Sequence, residues 1–239
     1  MNAVLDVRGL GKTFGGFTAL NGIALTVAPG ERLGLVGPNG SGKSTFVNCI
    51  AGDFPDHAGV VLFRNRPLAG LKPHERARLG LSRTFQLPRP FRSLTVLENV
   101  TVPLRFSVPP LPVADARARA RACLERVGLQ DKAHSHPHSL TQVDLRKLEL
   151  ARALAPEPAL LIADEVMAGL SHSEVDQILD LLFALNGDGT AVIMIEHVMR
   201  AITAFSQRLA VFVAGRKIVE GDPQTVLATP EVEAAYLGT

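Results

Sequence analysis

The densest chemistry in the chain lies in nine consecutive residues, Gly37-Pro38-Asn39-Gly40-Ser41-Gly42-Lys43-Ser44-Thr45. The glycines let the backbone wrap so that successive N–H groups point inward at anionic oxygens. Lys43 adds a positive charge for the β- and γ-phosphates of a nucleotide, and the Ser44 hydroxyl is a ligand for Mg²⁺. Far along the chain, Leu160-Leu161-Ile162-Ala163 runs into Asp164-Glu165. A buried strand ending on two carboxylates beside a phosphate loop supplies a metal ligand, Asp164, and a general base for an attacking water, Glu165. Together the two motifs read as a nucleoside triphosphatase of the phosphate-loop class.

For these groups to meet, the flanking elements must deliver them to one edge. Residues 32–36 read as a short apolar strand stopping at Gly37, with a helix over 44–51, so the loop sits between strand and helix as its chemistry requires. Further strands are predicted at 4–7, 23–27, 59–63, 160–163, 191–195 and 209–213, with a turn at Gly15-Gly16 and a hairpin through 215–219. Helices are predicted at 73–79, 96–100, 114–127, 143–155, 173–185, 198–205, 223–228 and 231–236. Strands alternating with helices in the second half imply a parallel sheet covered on both faces. The expected fold is α/β: a phosphate-loop NTPase core with a mostly parallel sheet, an N-terminal antiparallel β subdomain and an inserted α-helical subdomain. The core is expected over 1–86 and 156–239 and the helical subdomain over about 87–155, all within one domain.

The chain has 239 residues, 46% of them hydrophobic and 20% charged, with a formal charge of +2. That composition excludes global disorder, and the charge balance gives no footprint for nucleic acid. No apolar run is long enough to span a bilayer, and residues 1–8 lack the core of a signal peptide. Two cysteines, Cys49 and Cys123, cannot build a disulfide scaffold and are expected in the core. The arginines at 117, 119, 121 and 126 read as the solvated face of an amphipathic helix. His134-Ser135-His136-Pro137-His138 reads as a loop rather than a metal site, since Pro137 breaks any regular face.

With its neighbouring residues added, the chain resembles the ATP-binding subunits of ABC transporters along essentially its whole length. The resemblance implies ATP and Mg²⁺ as cofactors. It implies that Phe14, in Lys12-Thr13-Phe14-Gly15, stacks on adenine, although by itself Phe14 would read as a core aromatic. It makes Gln86 a glutamine-loop residue that touches Mg²⁺, and His197 a switch histidine on the γ-phosphate. The implied catalytic set is Glu165, His197 and Gln86; the metal set is Ser44, Gln86 and Asp164. Nucleotide contacts fall to Phe14, Gly37, Asn39, Gly40, Ser41, Gly42, Lys43, Ser44 and Thr45, joined by Ser139 and Gln142 acting on the nucleotide of a second subunit.

Two segments depart from the family pattern. The Leu-Ser-Gly-Gly-Gln signature is matched to His138-Ser139-Leu140-Thr141-Gln142, with both glycines replaced. Side chains at 140 and 141 disfavour positive φ and limit close approach; the segment reads either as a tolerated variant of the subfamily or as one that weakens the composite site receiving it, in which case restoring both glycines raises the rate. The dimer-contact loop ends in Ser171 in place of aspartate, and Val166 replaces the usual proline.

The segments 83–86, 91–100, 195–197 and 229–238 look like the branched-chain amino-acid importer type, the "G-like" ATPase of its pair. That likeness implies permease subunits and a second ATPase subunit as partners, an extracytoplasmic solute-binding protein indirectly, and a peripheral position on the cytoplasmic face of the membrane. The competing readings are a non-transport ABC ATPase, which would need tandem modules, a long coiled-coil insertion or a basic face, and a nucleotide-gated regulatory subunit with weak hydrolysis.

Overall fold

A computed structural model describes residues 3–106 and 109–237; Gly238, the last residue of the matched tail, lies outside them. The chain begins with strands β1 (Leu5–Phe14), β2 (Phe17–Val27) and β3 (Arg32–Val36), then helix α1 (Lys43–Ala51). Next come β4 (Ala58–Phe63), β5 (Arg66–Pro67), α2 (Pro73–Arg78) and β6 (Leu81–Arg83). Three helices follow, α3 (Val96–Arg105), α4 (Val113–Arg126) and α5 (Gln142–Leu154). The second half runs β7 (Leu160–Asp164), α6 (His172–Gly187), β8 (Ala191–Ile195), α7 (Met199–Phe205), β9 (Arg208–Val213), β10 (Arg216–Gly221), α8 (Pro223–Leu227) and α9 (Pro230–Leu237).

Two sheets organise these elements. Strands β2-β1-β4-β5 form an antiparallel sheet, closed at the Gly15-Gly16 turn where Phe14 pairs with Phe17. The second sheet has the order β10-β9-β3-β8-β7-β6, parallel from β9 to β6, with β10 returning antiparallel at one edge. The fold is therefore the expected mixed α/β arrangement.

Apart from Arg32, Asp164 and Arg208 at their ends, the central strands carry only apolar residues and one glycine, because both faces are covered. Leu160, Ile162, Ala191, Ile193, Ala210 and Phe212 face a cluster built with α1 and the antiparallel sheet. Leu161, Ala163, Val192, Met194, Leu209 and Val211 face the opposite cluster with α6 and α7. A third cluster joins α3, α4 and part of α5 around Val96, Val100, Leu104, Ala116, Ala120 and Leu124. Helix α5 contributes Leu148 and Ala151 to this third cluster, and Leu150 and Leu154 to the second.

Three expectations change in detail. Strand β6 is too short to announce itself and pairs with β7. Helix α3 continues to Arg105 with Pro103 inside it, which removes the bond that an N–H at 103 would make to the carbonyl of Asn99 one turn back. Cys49 is fully buried on α1, whereas Cys123 is only partly buried on α4.

Candidate active site

Sheet order explains why the functional side chains meet. Parallel strands β6, β7, β8 and β3 are consecutive neighbours and end at the same edge. After β6 comes Gln86; β7 ends on Asp164; β8 leads into Glu196 and His197; β3 opens into the phosphate loop. Asp164 pairs with Ile195 across β7 and β8, so Glu165 and His197 leave adjacent strands side by side. Open α/β sheets place their ligands at this carboxyl edge.

The loop from Gly37 to Gly42 is a cradle with no room for side chains at two positions. A Cβ on Gly37 would lie 2.0 Å from the Phe212 carbonyl oxygen, and one on Gly42 would lie 2.7 Å from that of Ala19. Both take positive φ, 148° and 103°. Lys43 is buried, and its ammonium donates to the Gly37 carbonyl at 2.7 Å and the Pro38 carbonyl at 3.0 Å. Burial lowers its pKa, opposed by the charges of Glu165 and Asp164.

The two carboxylates differ in environment. Asp164 is buried; its backbone N–H donates to Thr84 Oγ1 at 3.0 Å, and Arg83 approaches its carboxylate at 3.4 Å. Burial raises its pKa, with Arg83 pulling it back most strongly. Glu165 takes φ 50°, a left-handed conformation that is unfavourable for a side chain with a Cβ and that is held here by its surroundings. Its N–H donates to the Ile195 carbonyl at 2.9 Å. Its carboxylate is shared: Gln86 Nε2 donates to Oε2 at 2.6 Å and His197 Nε2 lies 3.1 Å from Oε1.

These residues fit a Mg²⁺-nucleotide. Ser44, Gln86 and Asp164 line one cavity of about 400 Å³ together with Asn48, Arg83 and Arg89. Such a set of oxygens suits a hard cation that shares its remaining coordination with phosphate and water. Phe14 is 41% exposed, with Phe54 edge-on at 5.2 Å and Lys12 at 5.1 Å, so it is no core residue.

Sequence reasoning passed over Glu196. It is buried, accepts the Met167 N–H at 2.8 Å, and its pKa is pushed up to about 7, chiefly by burial. An acidic residue inside an apolar strand end was the available signal. Thr84 and Arg83, both bound to Asp164, were also missed.

The signature segment behaves differently from expectation. Leu140 and Thr141 are extended, with φ −83° and −69°, so neither incurs the strain of positive φ. Thr141 is the N-cap of α5: its hydroxyl accepts the Asp144 N–H at 3.3 Å and donates to the Asp144 carboxylate at 2.7 Å. Ser139 instead donates to the His136 carbonyl at 2.8 Å, within a short 3₁₀ turn. Gln142 reaches the loop before α6, donating to the Ala168 carbonyl at 3.2 Å. In that loop the Ser171 hydroxyl donates to Glu174, in its own chain, at 2.7 Å. The rings of His136 and His138 stack 5.7 Å apart in the preceding loop.

A phosphate loop opening from a central strand, with carboxylates, a glutamine and a histidine arriving from its neighbours, defines an ATP-binding cassette. The ABC transporter family model matches residues 20–168, and the chain belongs to that family. It is 36% identical to the high-affinity branched-chain amino acid transport ATP-binding protein LivG of Escherichia coli, over 98% of each chain. Among solved structures it is similar to a nucleotide-free ATP-binding cassette from an ABC transporter, with TM-score 0.89, 28% identity, and 99% and 100% of the two chains covered. It also resembles a dimeric post-hydrolysis cassette bound to ADP and phosphate, with TM-score 0.82, 28% identity, and 92% and 98% covered. Among the described residues, no helix is long and apolar enough to cross a membrane.

Proposed function

We propose that this chain binds ATP with Mg²⁺ and hydrolyses it to energise an importer of branched-chain amino acids or similar small polar solutes. The observation that carries the reading is the convergence of Gln86 and His197 on the two oxygens of Glu165, at the mouth of the phosphate loop. The cargo class rests on the likeness to LivG.

In this reading Phe14 stacks on adenine, and Gly37, Asn39, Gly40, Ser41, Gly42, Lys43 and Thr45 cradle the phosphates. Ser44, Asp164 and Gln86 would hold Mg²⁺, which neutralises charge developing on the phosphate oxygens. Glu165 accepts a proton from the attacking water, with its carboxylate aimed by Gln86 and His197. His197 then faces the γ-phosphate. Residues 139–142 face the nucleotide of a second ATPase subunit, with the helix-start hydroxyl coming from Thr141.

Residues 87–155 would form the helical subdomain, and the permease would dock on it. Support comes from a groove of about 400 Å³ between α2, α3 and α5, lined by Phe85, Phe91, Val102, Pro103 and Phe106. Its apolar walls at an exposed surface suit a partner helix or loop. The chain would then sit peripherally on the cytoplasmic face, served by an extracytoplasmic binding protein.

The test is ATP-dependent leucine uptake by vesicles containing the chain with its permease and ATPase partners. Uptake is expected, and its loss on Lys43→Ala. Uptake that survives Lys43→Ala overturns the reading. ATP binding without turnover favours the regulatory reading.

A further inference from the structure

Gln86 is placed by its backbone, and two buried charges on α5 hold that backbone. Arg146 and Glu149 stand one turn apart, 4% and 5% exposed. Glu149 Oε1 accepts the N–H of Phe85 at 2.6 Å. Arg146 Nη1 donates to the carbonyl of Gln86 at 2.7 Å and lies 3.4 Å from that of Phe85. The Phe85-Gln86 segment is thus gripped at the Phe85 N–H by an acceptor and at the Gln86 carbonyl by a donor. One further turn along, Arg152 donates to the Arg89 carbonyl at 2.6 Å, with its guanidinium 4.7 Å from the ring centre of Phe91.

Stability does not account for this pair. Arg146 Nη1 and Glu149 Oε2 are 3.8 Å apart, a loose ion pair. Arg146 Nε and Glu149 Oε2 are buried with no hydrogen-bond partner among the described residues. Burial pushes the Glu149 carboxyl up despite the Phe85 N–H and the nearby arginines. Two dehydrated charges with unmet polar atoms are a poorer solution for folding than an apolar pair of the same volume. What they do achieve is a fixed backbone at residues 85 and 86.

We infer that Arg146 and Glu149 are positioning residues that clamp the glutamine loop to α5, so that Gln86 is held on Glu165. Because α5 begins at the signature segment, any shift of that helix carries Gln86 with it. The inference rests on the roles proposed above for Gln86 and Glu165.

The test measures Mg²⁺-ATPase of the assembled transporter for Arg146→Met/Glu149→Leu, Glu149→Gln and Gln86→Ala. The double variant removes two buried charges but also frees the Phe85 N–H and the Gln86 carbonyl and leaves Arg152 without its counter-charge, so its melting temperature is measured beside the rate to show that the variant is folded. Its kcat falls about tenfold or more. KM for MgATP moves less than kcat, by under about threefold, because of the groups proposed to hold MgATP only Gln86 is released while the phosphate loop, Ser44 and Asp164 stay in place. Glu149→Gln keeps an acceptor for the Phe85 N–H and retains most of the rate. A double variant at the wild-type rate, with Gln86→Ala slow, overturns the clamp. Gln86→Ala at the wild-type rate overturns the proposed role of Gln86 itself. Should the double variant not fold, Arg146→Lys decides, since it keeps the charge but loses the guanidinium's geometry; a wild-type rate there also overturns the clamp.

Discussion

Gln86 donates to Glu165 across 2.6 Å, joining the loop after β6 to the residue after β7. Both are side chains of loops, yet each loop is anchored: Thr84 donates its N–H to Ile162, and Glu165 donates its own to Ile195. The carboxylate that is proposed as the base is therefore aimed before any substrate arrives. Replacing it by an amide keeps the shape and removes the basicity. Glu165→Gln is expected to lower kcat by about 10²- to 10⁴-fold, the range of a general base. Equilibrium ATP binding, measured alongside the steady-state rate, is expected to stay intact.

The cradle predicts a contrast between two glycines. A Cβ at Gly42 meets the Ala19 carbonyl at 2.7 Å, whereas one at Gly40 meets nothing within 4 Å, although both have positive φ. Gly40→Ala is expected to cost about 1 kcal/mol, the conformational cost alone. Gly42→Ala adds a steric clash against backbone and is expected to cost roughly 2–4 kcal/mol, read as a larger fall in thermal midpoint.

Thr141 and Ser139 are distinguishable by stability. Thr141→Ala removes the N-cap of α5 and is expected to cost about 1 kcal/mol. Ser139→Ala releases one exposed hydroxyl and is expected to be nearly silent in denaturant unfolding. The same geometry reverses the expected benefit of restoring glycine at 140 and 141: the double glycine variant loses the cap without relieving any strain, so ATPase of the assembled complex is expected not to rise.

Glu196 predicts a pH dependence of stability. Its folded-state pKa, about 7, lies above its unfolded value because burial disfavours the charge, with Glu165 adding to the rise and Arg146 opposing it. The folded state therefore binds the proton more tightly. Its contribution to stability is full below the unfolded pKa and is lost as pH rises through about 7. Glu196→Gln keeps the acceptor for Met167 and removes the charge. The variant is expected to gain on the wild type as pH rises from 4.5 to 7.5, by on the order of 3 kcal/mol in all; thermal melts across that range check it.

On either side in sequence of Phe91, which lines the proposed docking groove, Arg89 and Arg92 separate two effects. Arg89 lies 4.9 Å from the ring centre of Phe85, the residue beside Gln86, whereas Arg92 is simply exposed. Arg92→Glu is expected to reduce solute uptake in vesicles while leaving nucleotide binding unchanged. Arg89→Glu is expected to disturb both uptake and ATPase rate, because it also touches the glutamine loop.

The core of this molecule was legible because its strands carry uninterrupted apolar runs that end in chemistry. Leu160 to Asp164 and Ala191 to His197 announce both a position in the sheet and a functional residue. The start of α5 was harder to read. Ser139 and Thr141 are both good N-caps, and the choice went to Thr141 because Asp144 completes a capping box three residues on. Glu165's left-handed backbone left no mark in the sequence, since the bonds that hold it come from Ile195, Gln86 and His197. The grip of α5 on Phe85 and Gln86 was invisible for the same reason: it joins residues about sixty positions apart.

Lys43 has a consequence for how a nucleotide would enter. Its ammonium donates to the carbonyls of Gly37 and Pro38, so the loop carries an internal partner for its own cation. Entry of a phosphate becomes an exchange of partners at one lysine rather than the assembly of a pocket. Affinity is then set by how well phosphate oxygens compete with two backbone carbonyls.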